Sequence, residues 1–213
     1  MLKKNKATLI LTTLVMLLPM LIGLLLWEQL PDPMPSHWNI QGEVDGWSSK
    51  PFAVFGLPGI LIGIHWICVL ACTTDPKSAN YTPKMITLVL WICPVISLVV
   101  NSMVFAAALG YAISIEIIIP LLSGIMFIII GNLLPKCRQS YTMGIKLPWT
   151  LHNEENWNKT HRFGGKVWVA GGVIIMATTL VGSFWLMMIV TAAMVILPTI
   201  YSYCLYRKQS KDN

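Results

Sequence analysis

Apolar residues dominate this chain in long runs broken by short polar connections. A helix rises 1.5 Å per residue, so about 20 apolar residues cross a hydrocarbon core about 30 Å thick. Six runs reach that length: Ala7–Trp27, Phe52–Cys72, Met85–Ala107, Ala112–Leu134, Gly164–Gly182 and Phe184–Leu205. The pattern predicts an all-α membrane protein with six transmembrane helices. The first run follows Lys3, Lys4 and Lys6 but ends in Trp27-Glu28 with no small-residue cleavage pattern, so it reads as a membrane helix and not a signal peptide. Pro19, Pro58, Pro94, Pro120 and Pro198 lie inside runs, where neighbouring helices re-satisfy the carbonyls that a proline frees. Gly59 with Gly63, and the pair Gly171 and Gly172, suit close helix approach.

Two connections are long, 28–51 and 135–163. They divide the chain into an N-terminal four-helix half (1–134) carrying an outer loop (28–51), a loop at 135–163, and a C-terminal helix pair with its tail (164–213). In the first loop Pro31, Pro33 and Pro35 impose an extended path, and Gly42 and Asp45-Gly46 supply turns, so the loop is compact and built. Trp38 and Trp47 suit the headgroup level. In the second loop, residues from about Asn153 to Phe163 support a short helix on which Glu154, Trp157 and His161 follow i, i+3, i+7. That face would seat Trp157 at the membrane interface and let Glu154 and His161 meet or reach a neighbouring loop. It reads either as a small polar site or as an amphipathic helix that caps the bundle.

Composition excludes a soluble globular enzyme: 55% of residues are hydrophobic and 11% charged, against roughly 25% charged in ordinary soluble domains. The net charge is +6, and its placement says more than its size. With the N-terminus inside, fourteen of the fifteen Lys and Arg fall on the inner side and Lys50 alone outside, which predicts an N-in, C-in protein of the bacterial cytoplasmic membrane. The inner loop, at net +3, attracts anionic headgroups, so membrane lipids are expected partners and direct nucleic-acid binding is not. His65 and Glu116 are the ionisable candidates within the runs, too few for an ion-coupled path.

The five cysteines have no disulfide spacing. His65, Cys68 and Cys72 share a helical face, where a buried histidine among small apolar thiols is favoured over a metal site. His37, Glu43 and Asp45 are ligand-type residues without ligand spacing. No GxSxG, HExxH or phosphate-binding glycine loop is present. No catalytic residue, metal or cofactor is therefore assigned.

Two segments resemble a known family. Pro35-Ser36-His37-Trp38-Asn39, Gly42, Val44-Asp45-Gly46-Trp47 and Ser49-Lys50-Pro51 are similar to the signature of a short domain of unknown function. That domain occupies the first half of the SdpI family of bacterial immunity proteins. Gly144-Ile145-Lys146, Pro148-Trp149-Thr150-Leu151, Trp157 and Thr160-His161-Arg162 are similar to the family's C-terminal signature. The chain departs from that pattern at Ser140, where Asn is common, at Lys146, where Arg is, and at Leu147, where Thr is frequent. Lys lacks the planar fork that clamps a carboxylate bidentately.

The resemblance implies immunity against a secreted antimicrobial peptide toxin met on the outer side and, as in the namesake system, capture of a cytoplasmic transcriptional repressor. It implies outer-site residues His37, Trp38, Asn39, Gly42, Asp45, Gly46, Trp47 and Lys50. The inner face would comprise Gly144, Lys146, Pro148, Trp149, Thr150, Glu154, Trp157, Thr160, His161 and Arg162. A second reading is a membrane-interface enzyme acting on a lipid or peptide, with Glu154 and His161 as acid and base and Lys146 as anion clamp. A third is a small-solute transporter with a pore lined by Asn101, Ser102, Thr178 and Thr179.

Overall fold

The computed structural model describes residues 5–210; Lys3, Lys4 and Lys211 lie outside the described residues. Six helices are long and apolar enough to cross a membrane: Lys6–Leu25, Phe52–Thr74, Pro83–Ala108, Ile115–Lys136, Glu154–Leu180 and Phe184–Gln209. Each predicted run is found. The fifth span differs, because it begins at Glu154 and not near Gly164. Asn153 caps it by accepting from the Asn156 backbone N–H, Glu154 and Glu155 sit in the first turn where the macrodipole favours acids, and nothing breaks the helix afterwards. The predicted short interfacial helix at 153–163 is thus the opening of the fifth span.

The chain forms two compact units. The first runs to Thr74 and adds Ile86–Ile115. It contains α1 (Lys6–Leu25), strands β1 (Met34–Trp38) and β2 (Val44–Ser48), a π-helical turn at Phe52–Gly56, α2 (Leu57–Thr74) and most of α3 (Pro83–Ala108). One core cluster joins Leu30 and Met34 to Ala53, Val54, Val104 and Phe105, so the base of the strand pair is rooted among helices. A second joins Leu9, Val69 and Leu90. His65 is fully buried with Nε2 3.4 Å from Thr12 Oγ1, whose own proton goes to the Leu9 carbonyl. Gly59 and Gly63 do not make the close approach their spacing predicts, because a Cβ on Gly63 would meet nothing within 4 Å.

The second unit comprises Asp75–Met85 and Glu116 onward. It contains α4 (Ile115–Leu133), α5 (Pro148–His152), α6 (Glu154–Ala177) and α7 (Phe184–Gln209). Helices α4 and α6 touch backbone to backbone. A Cβ on Gly124 would lie 2.7 Å from the Gly172 carbonyl oxygen, and one on Gly165 would lie 2.7 Å from that of Gly131. Seven residues separate the two contacts on each helix, so both fall on one face. Pro198 in α7 leaves the Met194 carbonyl without its helical donor, and the Trp168 indole N–H of α6 donates to that carbonyl at 2.9 Å. The proline thereby becomes a tie between two spans.

Candidate functional site

The sequence motifs fall on two separate constructions, one in each unit. The first is an antiparallel hairpin with pairs Met34 to Ser48, Pro35 to Trp47, His37 to Gly46 and Trp38 to Val44. Its turn is organised by Asn39, whose Oδ1 accepts from the backbone N–H groups of Gln41 (3.0 Å) and Glu43 (2.9 Å). Gly42, at φ 81°, takes the left-handed position in that turn. Lys50 closes the base: its backbone N–H donates to Asp32, and its ammonium donates to the Trp27 carbonyl and lies 5.2 Å from the Trp27 ring centre.

On the strands, His37 Nδ1 and Asp45 Oδ1 are 2.5 Å apart, with side chains 71% and 43% exposed. Gly46 stands where a Cβ would come within 2.7 Å of the His37 Cβ, so a glycine lets the histidine lie across the ribbon. Trp38 packs against the first core cluster, whereas Trp47 is 58% exposed. Of the predicted hairpin residues, Asn39, Gly42, Gly46 and Lys50 shape the ribbon. His37, Asp45 and Trp47 are presented on it.

The second construction is a platform made by residues 137–163 and the start of α6. Trp157 and His161 stack with ring centres 4.0 Å apart, and both are almost wholly buried. The Trp157 indole N–H donates to the Cys137 carbonyl at 2.7 Å. The Ile145 backbone N–H donates to His161 Nε2 (2.9 Å), and Nδ1 donates to the Trp157 carbonyl (2.7 Å). Gly144, at φ 108°, lies flat against both rings: a Cβ there would stand 2.5 Å from His161 Nε2 and 2.8 Å from the Trp157 ring. Only glycine satisfies both the backbone angle and the space.

These contacts correct three expectations. Trp157 is wholly buried among protein side chains, so no face of its ring is left for lipid. His161 does not meet Glu154, because seven helical residues separate them by about 10 Å along the axis; it takes the other expected course and reaches the neighbouring loop at Ile145. Glu154 is exposed on the first turn of α6, while both His161 nitrogens serve the backbone. The acid and base pairing is therefore not assembled.

A second buried network sits beside the first. The Trp149 indole N–H donates to Ser202 Oγ, Ser202 Oγ donates to Asn156 Oδ1, Thr160 Oγ1 donates to the same oxygen, and the Asn156 amide donates to the Ser202 carbonyl. Trp149 also stacks on Tyr206, 5.4 Å between centres. Thr150 is buried, accepting from the Leu147 N–H and lying 3.0 Å from the Ile145 carbonyl, while Pro148 opens α5. The exposed members of the predicted set are Lys146, which donates to the Thr142 carbonyl and not to a carboxylate, Pro148, Glu154 and Arg162.

Sequence reasoning passed over the residue that anchors this platform. Asp75 is 5% exposed. Its Oδ2 accepts from the Tyr81 hydroxyl (2.5 Å) and the backbone N–H groups of Tyr141 (3.0 Å) and Thr142 (2.9 Å), and its Oδ1 accepts from the Lys77 N–H (2.7 Å). Burial pushes this carboxyl upward, but the Tyr81, Lys77 and Thr142 donors outweigh it and hold the group below the usual carboxylate value. Gln139 works beside it. Its amide N–H groups donate to the Thr150 and Leu151 carbonyls, capping α5, while its oxygen receives the Lys77 ammonium. The available signal was that Asp75 is the lone acid in a connection otherwise carrying Lys77 and Lys84. Cys137 offers no nucleophile, since burial pushes its thiol up to about 12. Among the described residues, no group of three or more His, Cys, Asp or Glu side chains is placed to hold a metal ion.

Residues 14–62, which contain the hairpin, match a domain of unknown function, DUF1648. Residues 136–202, which contain the platform, match the SdpI/YfhL protein family. The Immunity protein SdpI of Bacillus subtilis (strain 168) is 27% identical over 214 residues, covering 97% of this chain and 97% of that protein. No solved structure matches the chain. Asp75 lies outside both matched segments. This multi-pass membrane protein, with six candidate membrane helices, thus carries the two matched segments in this order and is similar to that immunity protein over nearly the whole of both chains.

Proposed function

We propose that this chain is a membrane immunity protein, protecting the cell that carries it against a secreted antimicrobial peptide toxin. The observation that carries the reading is the alignment with an immunity protein over nearly the whole of both chains. In this reading the protein acts by binding and not by catalysis. The engagement of both His161 nitrogens by backbone groups supports that choice over a membrane enzyme. Asn101, Thr178 and Thr179 each bond a carbonyl of their own helix, which favours the same choice over a polar pore.

The orientation belongs to the proposal. With fourteen of fifteen cationic residues on one side, the positive-inside rule puts both termini and the platform in the cytoplasm and the hairpin outside. The hairpin then meets the toxin through His37, Asp45 and Trp47. The platform, presenting Lys146 and Arg162 on a rigid buried frame, faces a cytoplasmic repressor. Signalling requires the toxin to bind one state of the bundle more tightly than another, since equal affinity shifts nothing. The test is survival of a sensitive bacterium expressing the chain under challenge with candidate secreted peptides. Protection that Trp47→Ala removes at matched membrane level is expected; no protection against any peptide overturns the reading.

A further inference from the structure

We propose that the C-terminal end of α7 is a binding site for one anionic phospholipid, with the headgroup phosphate held by Arg207 and Lys208. A recess of about 390 Å³ opens there, lined by Tyr203, Cys204, Arg207 and Lys208. Residues 203 and 207, and 204 and 208, are one helical turn apart, so each ring or thiol lies directly beneath a cation. Both cations are exposed, and among the described residues neither has a carboxylate partner. The nearby acid, Glu155, is occupied by Lys159 at 2.6 Å and receives the Gln209 amide at 3.2 Å. Two uncompensated charges thus converge on one recess.

The surroundings select a lipid over a soluble anion. Tyr203 and Tyr206 cluster with Trp149 at centre distances of 5.5 and 5.4 Å, an aromatic group of the kind that sits at headgroup depth. Below the recess the same face of α7 runs through Ile200, Ile196 and Ile189, exposed by 55%, 52% and 65%. A free phosphate uses only the cations. A phospholipid uses the cations with its headgroup and the isoleucine track with its acyl chain. This inference is independent of immunity, because the recess lies outside the hairpin and shares with the buried networks only Trp149 on its aromatic flank.

The test is native mass spectrometry of the purified full chain with phosphatidylglycerol or phosphatidylcholine added. The wild type should retain one phosphatidylglycerol, and Arg207→Gln/Lys208→Gln should weaken retention by about tenfold, as expected for two surface cations near an anionic headgroup. Lys136→Gln/Arg138→Gln, which removes exposed cations elsewhere on the same unit, should retain it within about twofold. A second measurement needs no variant: phosphatidylglycerol should slow maleimide labelling of Cys204 in the wild type, and phosphatidylcholine should not. Equal retention of both lipids, equal loss in the control variant, unchanged Cys204 labelling, or full displacement by inorganic phosphate would each overturn the site.

Discussion

The hairpin and the platform carry motifs of equal clarity in the sequence, yet they spend their polar residues in opposite ways. On the hairpin, the His37 and Asp45 side chains meet in solvent at 71% and 43% exposure, and the fold rests on backbone pairing and a rooted base. On the platform, Trp157, His161, Thr150, Asn156 and Thr160 are all but wholly buried, and every polar atom described for them answers another. His37, Asp45 and Trp47 are therefore left exposed on the hairpin, while most motif residues at the platform are consumed in making a shape. Substitution should separate the two: platform changes unfold, and hairpin changes disarm.

The largest effect is expected at Gly144. Gly144→Ala must hold an L side chain at φ 108° and push apart the stacked rings, at a cost of about 3 kcal/mol or more from backbone strain and overpacking together. The thermal midpoint of the purified protein in detergent should drop by many degrees. A variant that stays as stable as the wild type but loses protection would move Gly144 from the frame to the contact surface and break the comparison.

Asp75→Asn comes next. The carboxylate accepts on both oxygens, whereas an amide must turn a donor toward either the Lys77 N–H or the three donors at Oδ2, costing about 2–3 kcal/mol for charge-assisted bonds. The pH dependence has a definite sign. The folded carboxyl titrates below its ordinary 3.8, so its contribution is complete above that value and is lost as pH falls beneath it. Wild-type stability should decline in that acid range, and the decline should be shallower in Asp75→Asn. Parallel acid curves would remove Asp75 from the anchor.

What could be read in the sequence follows the range of the interactions. Length and apolarity are local, so all six spans were legible, and so was the compact path imposed by Pro31, Pro33 and Pro35. The β-pairing was not, because Pro35 interrupts any strand pattern and the register depends on the partner strand. Asp75 was illegible because its partners at Tyr141 and Thr142 lie 66 and 67 residues downstream. His161 is legible as a motif residue, but its partners are not: its spacing leaves it to meet Glu154 or reach a neighbouring loop, and only the fold reveals that both nitrogens face backbone groups. Even the start of the fifth span was hidden, since its first turns are polar and read as a separate short helix.

Ser202→Ala sharpens the platform side at a smaller scale. The Trp149 indole loses its acceptor and Asn156 Oδ1 keeps only Thr160, for a cost of about 1–2 kcal/mol. Trp149 remains stacked on Tyr206, so the variant should fold with a modestly lower midpoint. A loss as large as that of Gly144→Ala would mean that the second network, and not the ring stack, carries the platform.

The smallest stability effect belongs to the hairpin pair. An ion pair between exposed side chains contributes on the order of 0–1 kcal/mol, because water screens it and two side chains must be ordered to make it. His37→Gln, Asp45→Asn and the double variant, measured as a thermodynamic cycle, should give a coupling within that range and leave the midpoint nearly unchanged. Protection against the toxin should nevertheless fall in each single variant, since the pair fixes how two polar groups are displayed on the ribbon opposite Gly46. A coupling above about 2 kcal/mol would make the hairpin a second buried-style frame despite its exposure. Unaltered protection with small coupling would leave the exposed apolar side chains of the hairpin, Trp47 and Ile40, as the groups to test next.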